Sequence, residues 1–91
     1  MKSDEQLQEI RRDIYREAYR KSEPKADFDA MVASGEAGQE RFYMKYYLPD
    51  EILLEIIATH CKRNKLDKIE STRVKGTVLL GCAPTGVRTP G

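Results

Sequence analysis

The stretch RFYMKYYLPDEILLEII, residues 41–57, decides the fold, because it combines a cluster of aromatic rings with the most apolar run of the chain. The 91-residue chain has two Phe and five Tyr, and four of these seven rings lie between positions 42 and 47. They stand at i, i+1, i+4 and i+5, a spacing that places them on one side of a helix. As a strand, the same residues would show rings on both faces. We therefore predict a helix over 37–47 whose aromatic face consists of Phe42, Tyr43, Tyr46 and Tyr47.

The aromatic face has two interpretations. It closes a core against the apolar side of residues 52–57, or it forms an exposed patch for a partner. Three of its four rings carry hydroxyls, which a fully buried face would have to satisfy with hydrogen bonds. We expect a mixed arrangement, with Phe42 and Tyr46 inside and Tyr43 or Tyr47 at an edge.

A further helix is predicted over residues 50–63, directly after Pro49. The residue before a proline avoids the α conformation, so the aromatic helix ends at Leu48. Pro49 and the acids Asp50 and Glu51 suit the first turn of the next helix. Apolar residues repeat the paired spacing along 52–61, which indicates the central helix of the core. Asn64 is predicted as its left-handed cap.

Two shorter predictions concern residues 3–35. A first helix over 3–21 begins with Ser3 and Gln6 at capping-box spacing, and its apolar stripe has helical periodicity. A second short helix over 22–35 starts at Ser22 or Glu23, with Pro24 in its first turn, and stops at Gly35.

Residues 66–81, LDKIESTRVKGTVLLG, admit both a helix and a strand. Asp67 and Glu70 at capping-box spacing favour a helix, whereas Val74, Gly76, Val78 and Leu80 alternate with polar residues as in a strand. We expect the helix, because a lone strand would need pairing from a second chain. The sequence thus predicts an all-α bundle of four to five short helices over 1–81, with a flexible tail over 82–91.

Composition excludes several classes of protein. Sixteen basic and fifteen acidic residues nearly cancel, so no overall field attracts nucleic acid or membrane. No apolar run is long enough to span a bilayer, and the charged start of the chain is unlike a secretory signal. Cys61 and Cys82 are expected to be free thiols in the cytoplasm, although their spacing does not decide whether they pair.

Catalytic and metal-binding motifs are poorly supported. One histidine, His60, and two cysteines far apart in sequence do not supply the close ligand pairs of a zinc site. No phosphate loop, nucleophile elbow or metal-binding helix motif occurs. We therefore expect neither enzymatic activity nor a cofactor.

The leading functional prediction is a small intracellular interaction domain, acting as an adaptor, accessory or regulatory protein. Its candidate contact residues are Tyr43 and Tyr47 of the aromatic segment together with Tyr15 and Tyr19, which share one side of the first helix. A protein partner is expected, and a homodimer is plausible if residues 72–80 are extended.

The alternative is a nucleic-acid-associated protein that contacts phosphate through residues 62–75. This stretch carries six basic and two acidic residues, and its cations could meet a nucleic-acid backbone. A solvated surface explains the same charges, and the stretch does not fit a helix-turn-helix pattern. The candidate contacts are Lys62, Arg63, Lys65, Lys68, Arg73 and Lys75.

Overall fold

The computed structural model describes residues 3–36, 41–43 and 45–81. Within these residues the chain forms three helices and a three-stranded antiparallel sheet with strand order β1-β3-β2. The elements in chain order are α1 (Asp4–Lys21), α2 (Phe28–Ser34), β1 (Phe42–Tyr43), α3 (Asp50–Arg63), β2 (Ser71–Val74) and β3 (Thr77–Leu80). The predicted all-α bundle is therefore wrong, and the domain is mixed α/β. The predicted flexible tail, 82–91, lies outside the described residues.

The core lies between α1, α3 and one face of the sheet. Phe42, Val78 and Arg73 are cross-strand neighbours, so their side chains share a face. Val78 and Leu80 are buried on that face. Cys61 is buried in the core as a free thiol, and Cys82 lies outside the described residues.

Helix α1 carries the predicted cap and stripe. The Ser3 hydroxyl accepts from the backbone N–H of Gln6, and the Gln6 side chain accepts from the N–H of Ser3, which confirms the capping box. Ile10, Ile14 and Ala18 of the stripe are buried. Because α1 packs against α2, α3 and the sheet, its buried surface is wider than the predicted stripe and includes two tyrosines.

Tyr15 of α1 bonds to the middle strand of the sheet. Its hydroxyl donates to the carbonyl of Val78 (3.2 Å) and accepts from the N–H of Leu80 (3.0 Å). Strand β1 has only two residues, paired with Val78 and Thr77. The hydroxyl therefore satisfies backbone groups of β3 where the pairing with β1 ends.

Tyr19, one turn further along α1, forms the corresponding pair of hydrogen bonds at β1. Its hydroxyl donates to the carbonyl of Arg41 (3.1 Å) and accepts from the N–H of Tyr43 (2.8 Å). Burial raises the pKa of Tyr19 to about 12, so the hydroxyl keeps the proton that it donates. The Tyr19 ring packs between Phe28 (5.5 Å between centroids) and Phe42 (4.6 Å), which joins α2 and β1 to the core.

Helix α2 is shorter than predicted. It begins after Asp27, whose carboxylate accepts from the N–H of Ala30, and not at Ser22 or Glu23. Ser22 is instead buried, with its hydroxyl donating to the Tyr19 carbonyl. Gly35 ends the helix at φ +81°, which confirms the predicted stop.

Helix α3 has the predicted bounds, but its C-terminus is built differently. Asn64 has φ −101°, and the left-handed residue is Lys65 at φ +58°. The Asn64 side chain donates to the carbonyl of His60, so it caps the helix through its amide and not through a left-handed backbone.

The predicted aromatic helix does not form in the described residues of 37–47. Phe42 and Tyr43 are extended, and tertiary partners take the backbone bonds that a helix would have needed. The Tyr43 N–H donates to Tyr19, while the N–H and the carbonyl of Tyr47 both pair with Glu23 (2.9 Å each). A short segment pays a nucleation cost to become a helix, and these longer-range bonds replace it.

Residues 66–81 contain a hairpin and not a helix. Strands β2 and β3 are joined by Lys75 and Gly76, both at positive φ (+41° and +84°), which is the backbone of a type I′ turn. The backbone is therefore extended on both sides of the turn, but the single alternating strand is not formed, because Val74 pairs with Thr77 and lies on the face opposite Val78. Because each half supplies the pairing partner of the other, extended structure here does not require a second chain, and dimerisation stays a prediction.

We expect Tyr19→Phe to lower the free energy of unfolding by about 1–2 kcal/mol, since it leaves the partly buried N–H of Tyr43 and carbonyl of Arg41 without their hydrogen-bond partner. Tyr15→Phe should cost a similar amount for the corresponding reason on β3. Urea unfolding followed by circular dichroism measures both. The exposed Tyr47→Phe is the matched control, with a change below about 0.5 kcal/mol. Wild-type stability in Tyr19→Phe would show that its hydroxyl does not support the strand.

We expect Lys65→Gly to raise the free energy of unfolding by about 0.5–1 kcal/mol, because glycine adopts the left-handed conformation without a Cβ clash. The matched control is Lys62→Gly inside α3, which should lower stability by about 1 kcal/mol. Thermal and urea unfolding of the pair separate backbone strain from loss of charge. Destabilisation by both substitutions would contradict the left-handed assignment of Lys65.

Candidate protein-binding surface

An open groove of about 500 Å³ lies where the start of α3 meets the sheet. The floor is the sheet face at Phe42, Val78 and Arg73, and the walls are the segment 46–49 and the first turn of α3. We call it the Tyr47 groove, and its lining residues are Phe42, Tyr46, Tyr47, Leu48, Pro49, Asp50, Glu51, Leu53, Arg73 and Val78.

Tyr47 is a large apolar side chain presented by a fixed backbone. Tyr47 is 65% exposed, the largest value among the large exposed hydrophobic residues of the described ranges. The two hydrogen bonds to Glu23 form an isolated antiparallel bridge at this residue. The ring at the groove's rim is therefore exposed although the chain that carries it is held in place.

Charges are arranged at one end of the groove. Asp50, at the first position of α3, forms an ion pair with Arg73 of β2. Glu51 is exposed and takes part in no ion pair among the residues that the structure describes. Lys45 lies over the Tyr46 ring, 5.2 Å from its centroid. Of the two carboxylates at this end, only Asp50 is thus paired with a cation from the described ranges, and Glu51 lines the groove beside it.

Two shallower depressions continue along α3 from the Asp50–Arg73 pair. The first, of about 470 Å³, lies between Leu54 and residues 71–73. The second, of about 370 Å³, runs from Leu54 to Ile69 and reaches Cys61. Leu54, 57% exposed, lines both. Two of the three large exposed hydrophobic residues of the described ranges, Tyr47 and Leu54, therefore lie on one continuous side of the molecule.

The structure does not bring the four candidate contact tyrosines to one surface. Tyr15 and Tyr19 are 2% and 0% exposed and belong to the core, so neither is available to a partner in the folded chain. Tyr43 is half-buried and pairs with Thr77, next to the floor residue Val78; side chains of successive strand residues point to opposite faces, so Tyr43 lies across the sheet from the groove. Only Tyr47 lies at the groove.

The six candidate nucleic-acid contacts fall into two groups. Lys62, Arg63, Lys65 and Lys68 surround the end of α3, whereas Arg73 and Lys75 lie on the hairpin. Because Arg73 pairs with Asp50 at the start of the helix, the two groups are separated by about the length of α3, roughly 20 Å. Lys68 lies 3.7 Å from Glu70. The stretch does not form one continuous basic patch.

His60 is buried beside a carboxylate. Its Nε2 lies 2.9 Å from Oε1 of Glu17 on α1, and Lys21 lies 3.3 Å from the other carboxylate oxygen. The hydrogen bond to His60 lowers the pKa of Glu17. His60 is 6% exposed and does not line the Tyr47 groove, so the pair serves to join α1 to α3.

Metal ligands do not cluster in the described part of the chain. Residues 3–36, 41–43 and 45–81 contain no group of three or more His, Cys, Asp or Glu side chains placed to hold an ion. The helices of these ranges are all too short or too polar to cross a bilayer.

Comparison of the chain with protein-family models, with curated proteins and with solved structures finds no match.

The aromatic spacing predicts Tyr47 as a contact residue, and the structure places it, exposed, at the groove, whereas the residues that complete the groove carry no such signal in the sequence. In sequence, Pro49, Asp50 and Glu51 indicate a helix start, which they do occupy, and give no sign of a groove. Arg73 belongs to the basic stretch in sequence, and the alternation of apolar residues does not place it at the groove, because the turn at Lys75 and Gly76 brings Arg73 opposite Val78.

We expect Glu17→Gln to lower the free energy of unfolding by about 1 kcal/mol at neutral pH, because it removes a charge-assisted hydrogen bond to His60. The pKa of Glu17 is lower in the folded chain than its ordinary value of 4.5. The carboxylate therefore contributes stability above that value and loses the contribution as the pH falls through the folded pKa. Urea unfolding between neutral pH and about pH 3 should show the gap between variant and wild type closing on acidification.

The matched control for this measurement is Glu55→Gln, at an exposed carboxylate of α3. Its profile should follow the wild type throughout. A gap for Glu17→Gln that stays constant with pH would contradict the assigned role of the carboxylate.

Proposed function

We propose that the protein is a small interaction domain without catalytic activity, which binds an extended segment of a partner protein in the Tyr47 groove. The observation that carries the proposal is Tyr47 itself. Its ring is mostly exposed at the rim of an open groove, and its backbone is held by two hydrogen bonds to Glu23.

The energetics of interfaces support this use of Tyr47. Tyrosine is enriched among the few residues that dominate binding energy, because it combines a large apolar ring with a hydroxyl that can bond at the rim. The bridge to Glu23 fixes the backbone in advance, so a partner would not have to order this segment when it binds. An exposed ring costs solvation free energy in the unbound chain, and binding recovers it.

The surroundings of Tyr47 also suit a segment more than a second flat surface. The groove has walls on two sides, from the segment 46–49 and from α3, and it is large enough for a few side chains of a ligand.

A non-catalytic role is proposed because the titratable groups serve the fold. His60 and Glu17 bond to each other between two helices, and Asp50 bonds to Arg73 across the end of the groove. Catalysis needs an acid, a base or a nucleophile aimed at a substrate position. The proposed location is the cytoplasm, whose reducing conditions suit a buried free thiol such as Cys61.

The test is affinity capture from cells of the source organism with three immobilised proteins: wild type, Tyr47→Ala and Leu54→Ala. We expect at least one partner whose recovery falls about tenfold with Tyr47→Ala, the cost of a dominant interface residue. Mass spectrometry quantifies recovery, and circular dichroism verifies that each variant is folded.

Leu54→Ala is the matched control, since it removes an apolar side chain of similar exposure outside the Tyr47 groove. It should retain the partner. Equal recovery by wild type and Tyr47→Ala would overturn the proposal. Loss with Leu54→Ala alone would also overturn it, by moving the contact to the depressions along α3.

A further inference from the structure

We propose that the segment bound in the Tyr47 groove is a polyproline II helix carrying an arginine or lysine. The inference rests on the proposed function, because it names the ligand class of the same groove. Two observations support it. The backbone groups of the groove walls are largely hydrogen-bonded already, and a carboxylate lies at one end of the groove.

The groove offers almost no backbone to a ligand. Its floor is a side-chain face of the sheet and not an edge, since Phe42, Val78 and Arg73 stand opposite one another across three strands. Phe42 and Val78 are buried there, so a ligand in the groove meets Arg73 and the side chains of the walls and cannot continue the ladder as an added strand.

The wall 46–49 is equally closed to strand pairing. The Tyr46 N–H donates to Tyr43, and the N–H and carbonyl of Tyr47 are bonded to Glu23. Pro49 has no N–H, and its carbonyl accepts from the first turn of α3. Apart from these groups the wall offers only the carbonyl of Tyr46 and the backbone of Leu48, which is buried at 9% exposure, too little for a ladder that continues along a strand.

A polyproline II helix fits these restrictions. It has no internal hydrogen bonds, it is already extended, and its proline rings pack against aromatic side chains. Tyr46, Tyr47 and Pro49 line the same groove and give it such a wall. The tyrosine hydroxyl can donate to ligand carbonyls, which a polyproline II helix leaves unpaired.

Charge complementarity supplies the basic residue. Arg73 is engaged by Asp50, whereas Glu51 at the same end has no ion-pair partner among the described residues. A ligand cation two or three positions beyond the prolines would lie beside Glu51. There it would be attracted by the carboxylate of Glu51 and by that of Asp50. An acidic ligand would meet repulsion at the same place.

The experiment titrates the full chain with a labelled peptide of about eight prolines followed by an alanine and an arginine, which places the cation two positions beyond the prolines, extended over roughly 30 Å. Fluorescence anisotropy gives the dissociation constant, and amide chemical shifts locate the contact. Two comparison peptides replace the arginine with glutamate, or the prolines with alternating valine and threonine, which favour a strand. We expect binding to weaken with glutamate and to vanish with the strand-forming peptide.

Substitutions in the groove test which residue contacts the prolines of the ligand and which contacts its basic end. Tyr47→Ala should weaken the proline–arginine peptide about tenfold, and Leu54→Ala should leave it unchanged. Glu51→Gln should weaken it about two- to fivefold, the range of an exposed ion pair, and should not weaken the glutamate peptide.

Three results would overturn the inference: absence of shifts at Tyr46 and Tyr47, equal binding of the strand-forming peptide, or binding that Tyr47→Ala leaves unchanged. If one of these occurs while capture of the cellular partner depends on Tyr47, the ligand class is wrong and the interaction domain stands. If capture is also independent of Tyr47, both proposals fall.

Discussion

Two tyrosine hydroxyls on α1 hold the sheet to the helices. Each lies between the carbonyl of one strand residue and the N–H of the residue two positions later, Tyr19 on β1 and Tyr15 on β3. A strand of two residues cannot satisfy the backbone of its neighbour alone, and unpaired buried groups are costly. The side chains of a helix thus complete hydrogen bonding that a longer strand would otherwise provide. The position of Phe42, and with it the floor of the Tyr47 groove, depends on these bonds.

Sequence periodicity identified the helices whose structure is local. The capping box at Ser3, the stop at Gly35 and the bounds of α3 follow from bonds between residues three or four positions apart, so a short window contains the information. The aromatic segment failed for the opposite reason. Its spacing fits a helix, but the bonds that decide its conformation come from Tyr19 and Glu23, more than twenty positions away. The hairpin was missed because a Lys-Gly turn is a weaker signal than Asn-Gly.

The candidate site shows the same division. Exposure of one tyrosine at an edge could be anticipated from three hydroxyls on one apolar segment, and Tyr47 has that position. The groove around it could not be anticipated, because its floor joins residues of three strands and its charged end joins Asp50 to Arg73, 23 positions apart. Conversely, Tyr15 and Tyr19 look like surface residues beside a narrow stripe, yet their hydroxyls are satisfied by strand backbones that only the folded chain brings near.

The sheet order β1-β3-β2 has a consequence for how the chain reaches this structure. The contact between Tyr15 and Leu80 joins residues that are 65 positions apart in sequence. Strand β1 cannot pair until β3, which follows β2 in the chain, is present. Closing long intervals is slow compared with local helix formation. During synthesis, the helices can form while the ribosome is still adding the hairpin, but their apolar sides stay uncovered until its last strand emerges. Chaperone contact in that interval would fall on α1 and α3.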